Sequence, residues 1–347
     1  MSIIIKSIRL KRGNAYRMVR HLKVRLGTDC SGTDSPVYGI KQTQLYKKGL
    51  VSVSHEWSCD ISTAAQEFIA LNHKPKQFFA DVRKRRHTHL PHVDVYVNGL
   101  PCQQWSSLGK RLGWHDPRTA VYNELVKTLK QASIRSFILE NVASLVKHDK
   151  GRTMKKVIAQ LAATGFSIDY RMYESSDFGL PQKRLRVYVV GIHKSLGVQP
   201  MLPDPPSVKR PLLSSFLDMQ YGKHGAKPRR SETTARSNLK GMKSILKRNG
   251  IDYRHESYVI DVDASPCYLS CEHEVCPTLT CARSSGFWIT SHRRRMNAAE
   301  QFRCQGFPVE EIIPVSRRKM GRLAGNAMSV PILTHIFDYL LPLLYDA

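Results

Sequence analysis

Val24-Arg25-Leu26-Gly27-Thr28-Asp29-Cys30-Ser31-Gly32-Thr33-Asp34-Ser35-Pro36 reads as a short apolar run that stops in a turn of small and polar residues. Glycine and serine leave such a turn open, so a ligand can approach its backbone closely. Working outward, β-branched and aromatic runs at 24–27, 51–56, 78–80, 93–98, 137–140 and 187–192 alternate with apolar residues at helical spacing over 63–71, 121–132 and 154–163. That alternation predicts a parallel sheet flanked by helices, an α/β domain. In such sheets ligands collect beyond the carboxyl ends of the strands, and the chemistry is sought there.

The texture changes after His193, where Pro200, Pro203, Pro205, Pro206 and Pro211 lead into a stretch, 209–248, that is basic and nearly free of acids. The expected organisation is a basic arm over 1–22, the sheet domain over 23–194 and a smaller, irregular domain over 195–311. A C-terminal segment over 312–347 then returns to the sheet domain through a helical apolar pattern at 330–344. Charge narrows the partners. The 347 residues carry 54 Lys+Arg against 28 Asp+Glu, a formal net charge of +26. Such an excess draws polyanions, nucleic acid first among them. Lys6, Arg9, Lys11, Arg12, Arg17, Arg20, Lys23 and Arg25 all precede the first acid, Asp29, which suits either a targeting segment or an arm on nucleic acid. No apolar run approaches the roughly 18 residues of a membrane span, so no membrane partner is expected. Eight scattered cysteines point to a reducing, intracellular compartment rather than a disulfide scaffold. Cys267, Cys271, Cys276 and Cys281, with His273 among them, lack the paired Cys-x-x-Cys knuckles of common zinc sites, and no metal is expected.

Each strand end offers one group. The acid and flat aromatic of Glu56-Trp57 suit ribose hydroxyls and stacking on a purine, and Asp81 can accept from an adenine amino group. After the fourth strand comes Asn98-Gly99-Leu100-Pro101-Cys102-Gln103-Gln104-Trp105-Ser106, and after the fifth Glu140-Asn141-Val142. A thiol beside a helix start can ionise and attack, while a carboxyl from the next strand can donate a proton; together they suggest covalent chemistry.

These motifs resemble those of the cytosine C5 methyltransferases. Pro101-Cys102-Gln103 with Ser106 is similar to that family's nucleophile loop, Glu140-Asn141-Val142 to its catalytic acid motif, and Gln182-Lys183-Arg184-Leu185-Arg186 to its Gln-x-Arg-x-Arg motif. Glu300, Arg303 and Gln305-Gly306-Phe307-Pro308 resemble the motif after the target-recognition region, and Gly325-Asn326-Ala327 with Val330-Pro331 the last cofactor-domain motif, all in the family's order. The resemblance implies a Rossmann-like S-adenosylmethionine-dependent methyltransferase domain with a smaller target-recognition domain, acting on double-stranded DNA as a monomer, in the cytoplasm or nucleoid if the source is prokaryotic or viral and in the nucleus if it is eukaryotic. It implies Cys102 as nucleophile and Glu140 as acid at cytosine N3, with Arg184 and Arg186 as fixed cations and Arg186 at O2. It places Cys30, Ser31, Gly32, Glu56, Trp57, Asp81, Val82, Asn98, Pro101, Asn326 and Ala327 at S-adenosylmethionine. Gln103, Ser106, Gln182 and Thr278 are placed at the substrate. Arg229 and Arg230, with Lys240, Lys243, Lys247 and Arg248, are expected to contact phosphates. One departure stands out: where the family reads Asp-Leu-Phe-x-Gly, this chain has Thr28-Asp29-Cys30-Ser31-Gly32, with Cys30 in place of the aromatic and the acid shifted. Two alternatives stay open. One is a transfer RNA methyltransferase of the same family, whose Cys-Phe-Thr signature the Cys102 loop does not show; the other is a silent DNA-binding relative, against which Cys102, Glu140 and Arg186 speak.

Overall fold

The computed structural model describes residues 8–12, 15–19, 21–101, 119–206, 208–219, 228 and 231–345. The chain divides into two compact units, Met1–Tyr173 with Leu185–Asp204 and Val330–Ala347, and Glu174–Arg184 with Pro205–Ser329.

The first unit opens with an antiparallel hairpin of β1 (Ile8–Arg12) and β2 (Ala15–Val19). Its main sheet is built from β3 (Leu22–Asp29), β4 (Val51–Cys59), β5 (Gln77–Phe79), β6 (Val93–Asn98), β7 (Ile134–Val142), β8 (Phe166–Glu174) and β9 (Leu185–His193), in the order β5-β4-β3-β6-β7-β9-β8. The five strands from β5 to β7 are parallel, and β9 runs antiparallel to β7. Between them lie α1 (Ser35–Gln42), α2 (Gln44–Lys47), α3 (Thr63–Asn72), α4 (Thr119–Gln131), α5 (Ser144–Lys147) and α6 (Arg152–Ala162). All six residues of β6 are buried, as a central parallel strand covered on both faces requires. The strand order reverses between β3 and β6, and the crevice beyond their carboxyl ends is where such sheets bind ligands.

Composition misled the strand boundaries in two places. β4 continues to Cys59, past the expected end at residue 56, because Trp57, Ser58 and Cys59 pair with β3 on one side and with β5 on the other. β8 was not expected at all; it lies at the edge of the sheet, its middle residues are half-buried or exposed, and Asp169 and Arg171 erase the apolar signal. Inside the sheet, glycines make room for aromatic rings: a Cβ on Gly27 would stand 2.3 Å from the Trp57 ring, and one on Gly191 2.2 Å from that of Phe137.

The second unit holds α7 (Thr233–Arg248), a four-stranded antiparallel sheet ordered β11 (Cys271–His273), β10 (Tyr258–Ile260), β12 (Trp288–Ile289), β13 (Arg294–Arg295), and then α8 (Ala298–Arg303) and α9 (Arg317–Asn326). A capping box starts α8: Glu300 N–H donates to the Asn297 side chain (2.9 Å) and Asn297 N–H to Glu300 (2.8 Å). The unit boundaries differ from the expected ones. Glu174–Arg184 belongs with the second unit, and so does α9, which was expected in the returning segment. Only α10 (Val330–Tyr345) returns to the first unit, packed so closely on α1 that a Cβ on Gly39 would stand 2.9 Å from Leu333 Cβ.

Candidate active site

Past β3 the backbone passes through three left-handed residues, Cys30 (φ 49°), Gly32 (φ 57°) and Asp34 (φ 49°). Only glycine takes that region at no steric cost, so other bonds must hold the two non-glycine residues there. Asp34 is fully buried and accepts from Thr28 Oγ1 (2.6 Å) and Ser58 Oγ (2.7 Å), and Ser58 Oγ lies 2.9 Å from His55 Nε2. Ser31 ties the turn to the neighbouring strand: its N–H and hydroxyl donate to the Cys59 carbonyl (both 3.1 Å), while the Cys59 N–H donates back to Ser31 Oγ (2.9 Å). Burial pushes the Asp34 carboxyl and the Cys30 thiol above their ordinary pKa values. At Gly32 a Cβ would meet nothing within 4 Å, so the turn presents open space at its glycine.

The acid next to this turn is Asp60, one residue past β4. Its carboxylate accepts from the Gly32 N–H (2.8 Å) and the Ser62 N–H (2.7 Å), and burial raises its pKa. Beside it a cleft of about 630 Å³ is lined by Ile61, Gln66, Phe78, Phe79, Asp81 and Arg85, among others. Ile61 is 67% and Phe78 40% exposed, so the cleft offers apolar surface that nothing among the described residues covers. Asp81 caps the turn Val82–Lys84 by accepting from the Arg83 N–H (3.0 Å). Its bonds to the Arg83 guanidinium pull its pKa down to about 2, which keeps it an ionised acceptor at neutral pH. Val82 is buried behind it.

Glu56 and Trp57 do not take their expected places. Both lie within β4 rather than beyond it, which turns them away from a ligand. Glu56 accepts two bonds from Lys76 Nζ (2.8 and 2.9 Å); burial pushes its pKa up, and the bonds from Lys76 and Ser54 outweigh that and hold it below the usual carboxylate range. Trp57 is fully buried, its ring over Gly27 and its Nε1 donating to Asp29 Oδ1 (3.3 Å). An indole with no exposed area cannot offer a face to a purine. Asp29 is instead the centre of a buried cluster: it accepts from Tyr96 Oη (2.6 Å) and is paired with Arg85, whose guanidinium stands 5.9 Å from the Trp57 ring and 5.5 Å from that of Phe79. Arg85 thus lines the cleft on one side and locks the end of β3 on the other. In the run Arg83-Lys84-Arg85-Arg86 nothing linear marks it out. Asp60 could have been found, since Asp60-Ile61-Ser62-Thr63 is an acid followed by a helix-start signature.

β6 ends on Asn98, fully buried, with its Nδ2 donating to Tyr96 Oη (2.7 Å). Among the described residues its Oδ1 has no hydrogen-bond partner. A buried acceptor in that state costs about 1–3 kcal/mol, a cost that a ligand bringing a donor relieves. Pro101 is the last described residue of this loop; Cys102, Gln103 and Ser106 lie outside the described residues, as do Arg229 and Arg230.

Glu140 and Arg186 are brought together by register. Glu140 pairs with Tyr188 and Val142 with Arg186 across antiparallel β7 and β9, so Glu140 and Arg186 stand on one face as diagonal neighbours. Arg186 Nε lies 3.2 Å from Glu140 Oε1, with both side chains largely buried.

The other residues of the Gln-x-Arg-x-Arg motif have different work, within the second unit. Gln182 is fully buried: it donates to the Cys304 carbonyl (2.7 Å) and accepts from the Leu279 N–H (3.1 Å), which leaves it no surface for a substrate. Arg184 donates to the carbonyls of Leu279 (2.9 Å), Gly325 (3.3 Å) and Ala327 (2.9 Å) and is 3% exposed. It is a tie between loops rather than a cation at the reacting atoms. Thr278 donates its hydroxyl to the Lys183 carbonyl (2.6 Å), and Asn326 and Ala327 close α9, Asn326 exposed and Ala327 buried.

Residues 31–341 match the family model of the C-5 cytosine-specific DNA methylases. Type II methyltransferase M.NgoBI of Neisseria gonorrhoeae is 31% identical over 258 residues, 74% of this chain and 76% of that protein. M.HaeII of Haemophilus aegyptius is 30% identical over 286 residues, 82% and 83% of the two chains. Among solved structures, the Entamoeba histolytica methyltransferase EhMeth superposes with a TM-score of 0.66 at 15% identity, covering 92% of this chain and 98% of that one, a likeness of fold. The strand order, with its open turn at the reversal point, is that of the Rossmann-like S-adenosylmethionine-dependent methyltransferases. Within that class, the chain belongs to the C-5 cytosine-specific DNA methylase family. No single helix among its described residues is long and apolar enough to cross a membrane.

Proposed function

We propose that this protein methylates C5 of cytosine in duplex DNA, with S-adenosylmethionine as donor and Cys102 as covalent nucleophile. The observation that carries the reading is the Glu140–Arg186 pair on one face of β7 and β9, in the unit whose preceding strand end leads into the Cys102 loop. A target base is inside the helix stack, so it must swing out before a side chain can reach it. C5 of cytosine is a weak nucleophile. The Cys102 thiolate adds to C6, forming an S–C6 bond and pushing an electron pair onto the ring, where a proton from Glu140 to N3 takes up the charge. Arg186 holds Glu140 in place and supplies fixed positive charge at the base O2. S-adenosylmethionine, when bound, supplies the electrophilic methyl group that C5 takes up. The C5 proton then passes to water and the N3 proton back to Glu140, and the electron pair from the C5–H bond re-forms the C5–C6 double bond and expels Cys102 as thiolate.

The residues of the first unit suit that cofactor: the open turn at Gly32, two acids past successive strand ends, an apolar cleft and the open acceptor of Asn98. Asp60, rather than Glu56, is placed to accept from ribose hydroxyls, and Ile61 and Phe78, rather than Trp57, offer apolar area to the adenine plane, with Asp81 as its acceptor. Asp60→Ala is expected to raise the dissociation constant for S-adenosylmethionine about tenfold or more, the worth of a hydrogen bond to a charged group. Glu56→Ala should leave it within about twofold, because Glu56 binds Lys76 instead. Calorimetry that shows the reverse order would return Glu56 to the site. The function itself is tested by transfer of labelled methyl from S-adenosylmethionine to duplex DNA and to transfer RNA. Label in DNA at C5 of cytosine supports the reading, and label in transfer RNA alone overturns it.

A further inference from the structure

The cleft beside Asp60 holds charge that methyl transfer does not use. Ile61 and Phe78 give it apolar surface, Asp81 stands at one edge, and Lys84, Arg86 and His89 line it beyond that acid. The last three are exposed, and among the described residues none of their side chains forms a hydrogen bond or an ion pair. Their basic neighbours are spent elsewhere: Arg83 Nη2 lies 2.7 Å from Asp81 Oδ2, and Arg85 is paired with Asp29. Lys84 adds to the field that holds Asp81 ionised but makes no bond to it. The acid of the lining is thus already matched, and Lys84 and Arg86 stand as cations in excess, with the His89 imidazole beside them.

S-adenosylmethionine does not call for these groups. It carries a sulfonium and an ammonium against a single carboxylate, a net positive charge, and that carboxylate is at the methionine end, farthest from its adenine. Cations beside the adenine therefore oppose the cofactor weakly and bond to no part of it. A cleft with apolar walls concentrates the field of the charges that line it, and here that field attracts an anion. Exposed aromatic surface next to unspent basic side chains is the combination that seats a nucleobase together with its phosphate.

We propose that this cleft is also a subsite for adenine nucleotides, and that a nucleotide bound there excludes S-adenosylmethionine. The base lies on Ile61 and Phe78 with its amino group donating to Asp81, and the phosphates reach Lys84, Arg86 and His89. Asp81, ionised through its pair with Arg83, accepts but cannot donate, so it favours a base edge that carries an amino group over one that carries a carbonyl. The nucleotide takes the same apolar surface as the cofactor's adenine, in a cleft of about 630 Å³, and the two compete for it.

Nucleotide binding is tested on its own, and only the exclusion of the cofactor rests on the placement of S-adenosylmethionine in this cleft. In calorimetry on the full chain, adenosine diphosphate should bind more tightly than three probes: adenosine, which lacks the phosphates, inosine diphosphate, which has a carbonyl for the amino group, and inorganic pyrophosphate, which lacks the base. Lys84→Gln combined with Arg86→Gln should weaken adenosine diphosphate about tenfold, the worth of two exposed charge pairs, and leave the dissociation constant of S-adenosylmethionine unchanged or lower. Lys84→Arg with Arg86→Lys keeps the charge and should restore the binding, which a misfolded chain could not do. Added adenosine diphosphate should raise the apparent dissociation constant of S-adenosylmethionine in proportion to its concentration. A diphosphate that binds no more tightly than any one of the three probes, that binds the Gln variant as well as the wild type, or that leaves the affinity for S-adenosylmethionine untouched overturns the subsite. So does a Gln variant that loses salt dependence on duplex DNA while it binds the diphosphate as before, which would give these cations to DNA. If the diphosphate binds with the expected dependence on Lys84 and Arg86 and S-adenosylmethionine does not bind at all, the nucleotide subsite stands and the cofactor reading falls.

Discussion

Cys102→Ala is expected to lower methyl transfer by on the order of 10⁴-fold or more, the scale on which removal of a covalent nucleophile is felt. The argument is one of electron supply. Without a sulfur bond at C6, the ring gives C5 no enamine character, and no other group can substitute, because the attacking atom must reach C6 directly. Binding should survive, since the thiol contributes little contact area. The measurement is single-turnover methylation under saturating S-adenosylmethionine and duplex DNA, together with the dissociation constants of both. A Cys102→Ala enzyme that keeps more than a tenth of the wild-type rate would remove Cys102 from the chemistry. One that loses cofactor binding as well would make its role structural.

The second large effect concerns Glu140. Glu140→Gln keeps the shape and an oxygen that can accept from Arg186, but an amide cannot hand a proton to N3. Turnover should fall by roughly 10²- to 10⁴-fold, the range for loss of a positioned general acid. Two further readouts separate this from a loss of packing. The melting temperature should stay within a few degrees, and the dissociation constant of S-adenosylmethionine should hold, since neither depends on proton transfer. Removal of Arg186 makes a useful contrast, because the pair spans only 3.2 Å and Glu140 is largely buried. Arg186→Ala takes away that carboxyl's partner, and a buried polar group stripped of its partner is destabilising by about 1–3 kcal/mol. Arg186→Ala should therefore depress both rate and stability, where Glu140→Gln depresses rate alone.

The sheet domain was legible in the sequence because its strands are written in β-branched residues. β6, Val-Asp-Val-Tyr-Val-Asn, is buried at every position and needs no context to be seen. The position of a side chain relative to a strand end was less legible. Glu56-Trp57 looked like an acid and a stacking aromatic at a strand terminus, and three more paired residues moved them into the sheet and left Asp60 and Ile61 at its edge. Strand ends are set by tertiary pairing, here to Gly27 on one side and Gln77 on the other, and composition does not record that pairing. The same holds for Gln-x-Arg-x-Arg. Its residue types announced a functional motif, but only the start of β9 at Leu185 separates Arg186, which is paired into the sheet beside Glu140, from Arg184, which lies just before the strand and spends its guanidinium on three carbonyls. The left-handed turn was half visible: Gly32 announces it, while Cys30 and Asp34 adopt it only because Thr28, Ser58 and Cys59 hold them there.

The most direct test of the whole account is to trap the covalent intermediate on DNA. A duplex carrying 5-fluorocytosine at the target position cannot lose its C5 substituent as a proton, so the sulfur bond, once formed and followed by methyl transfer, persists. With S-adenosylmethionine present, a denaturant-stable protein–DNA adduct is expected, and peptide mapping should place it on Cys102. An adduct mapped to another residue, or none in a reaction that methylates the unmodified duplex, would contradict the account.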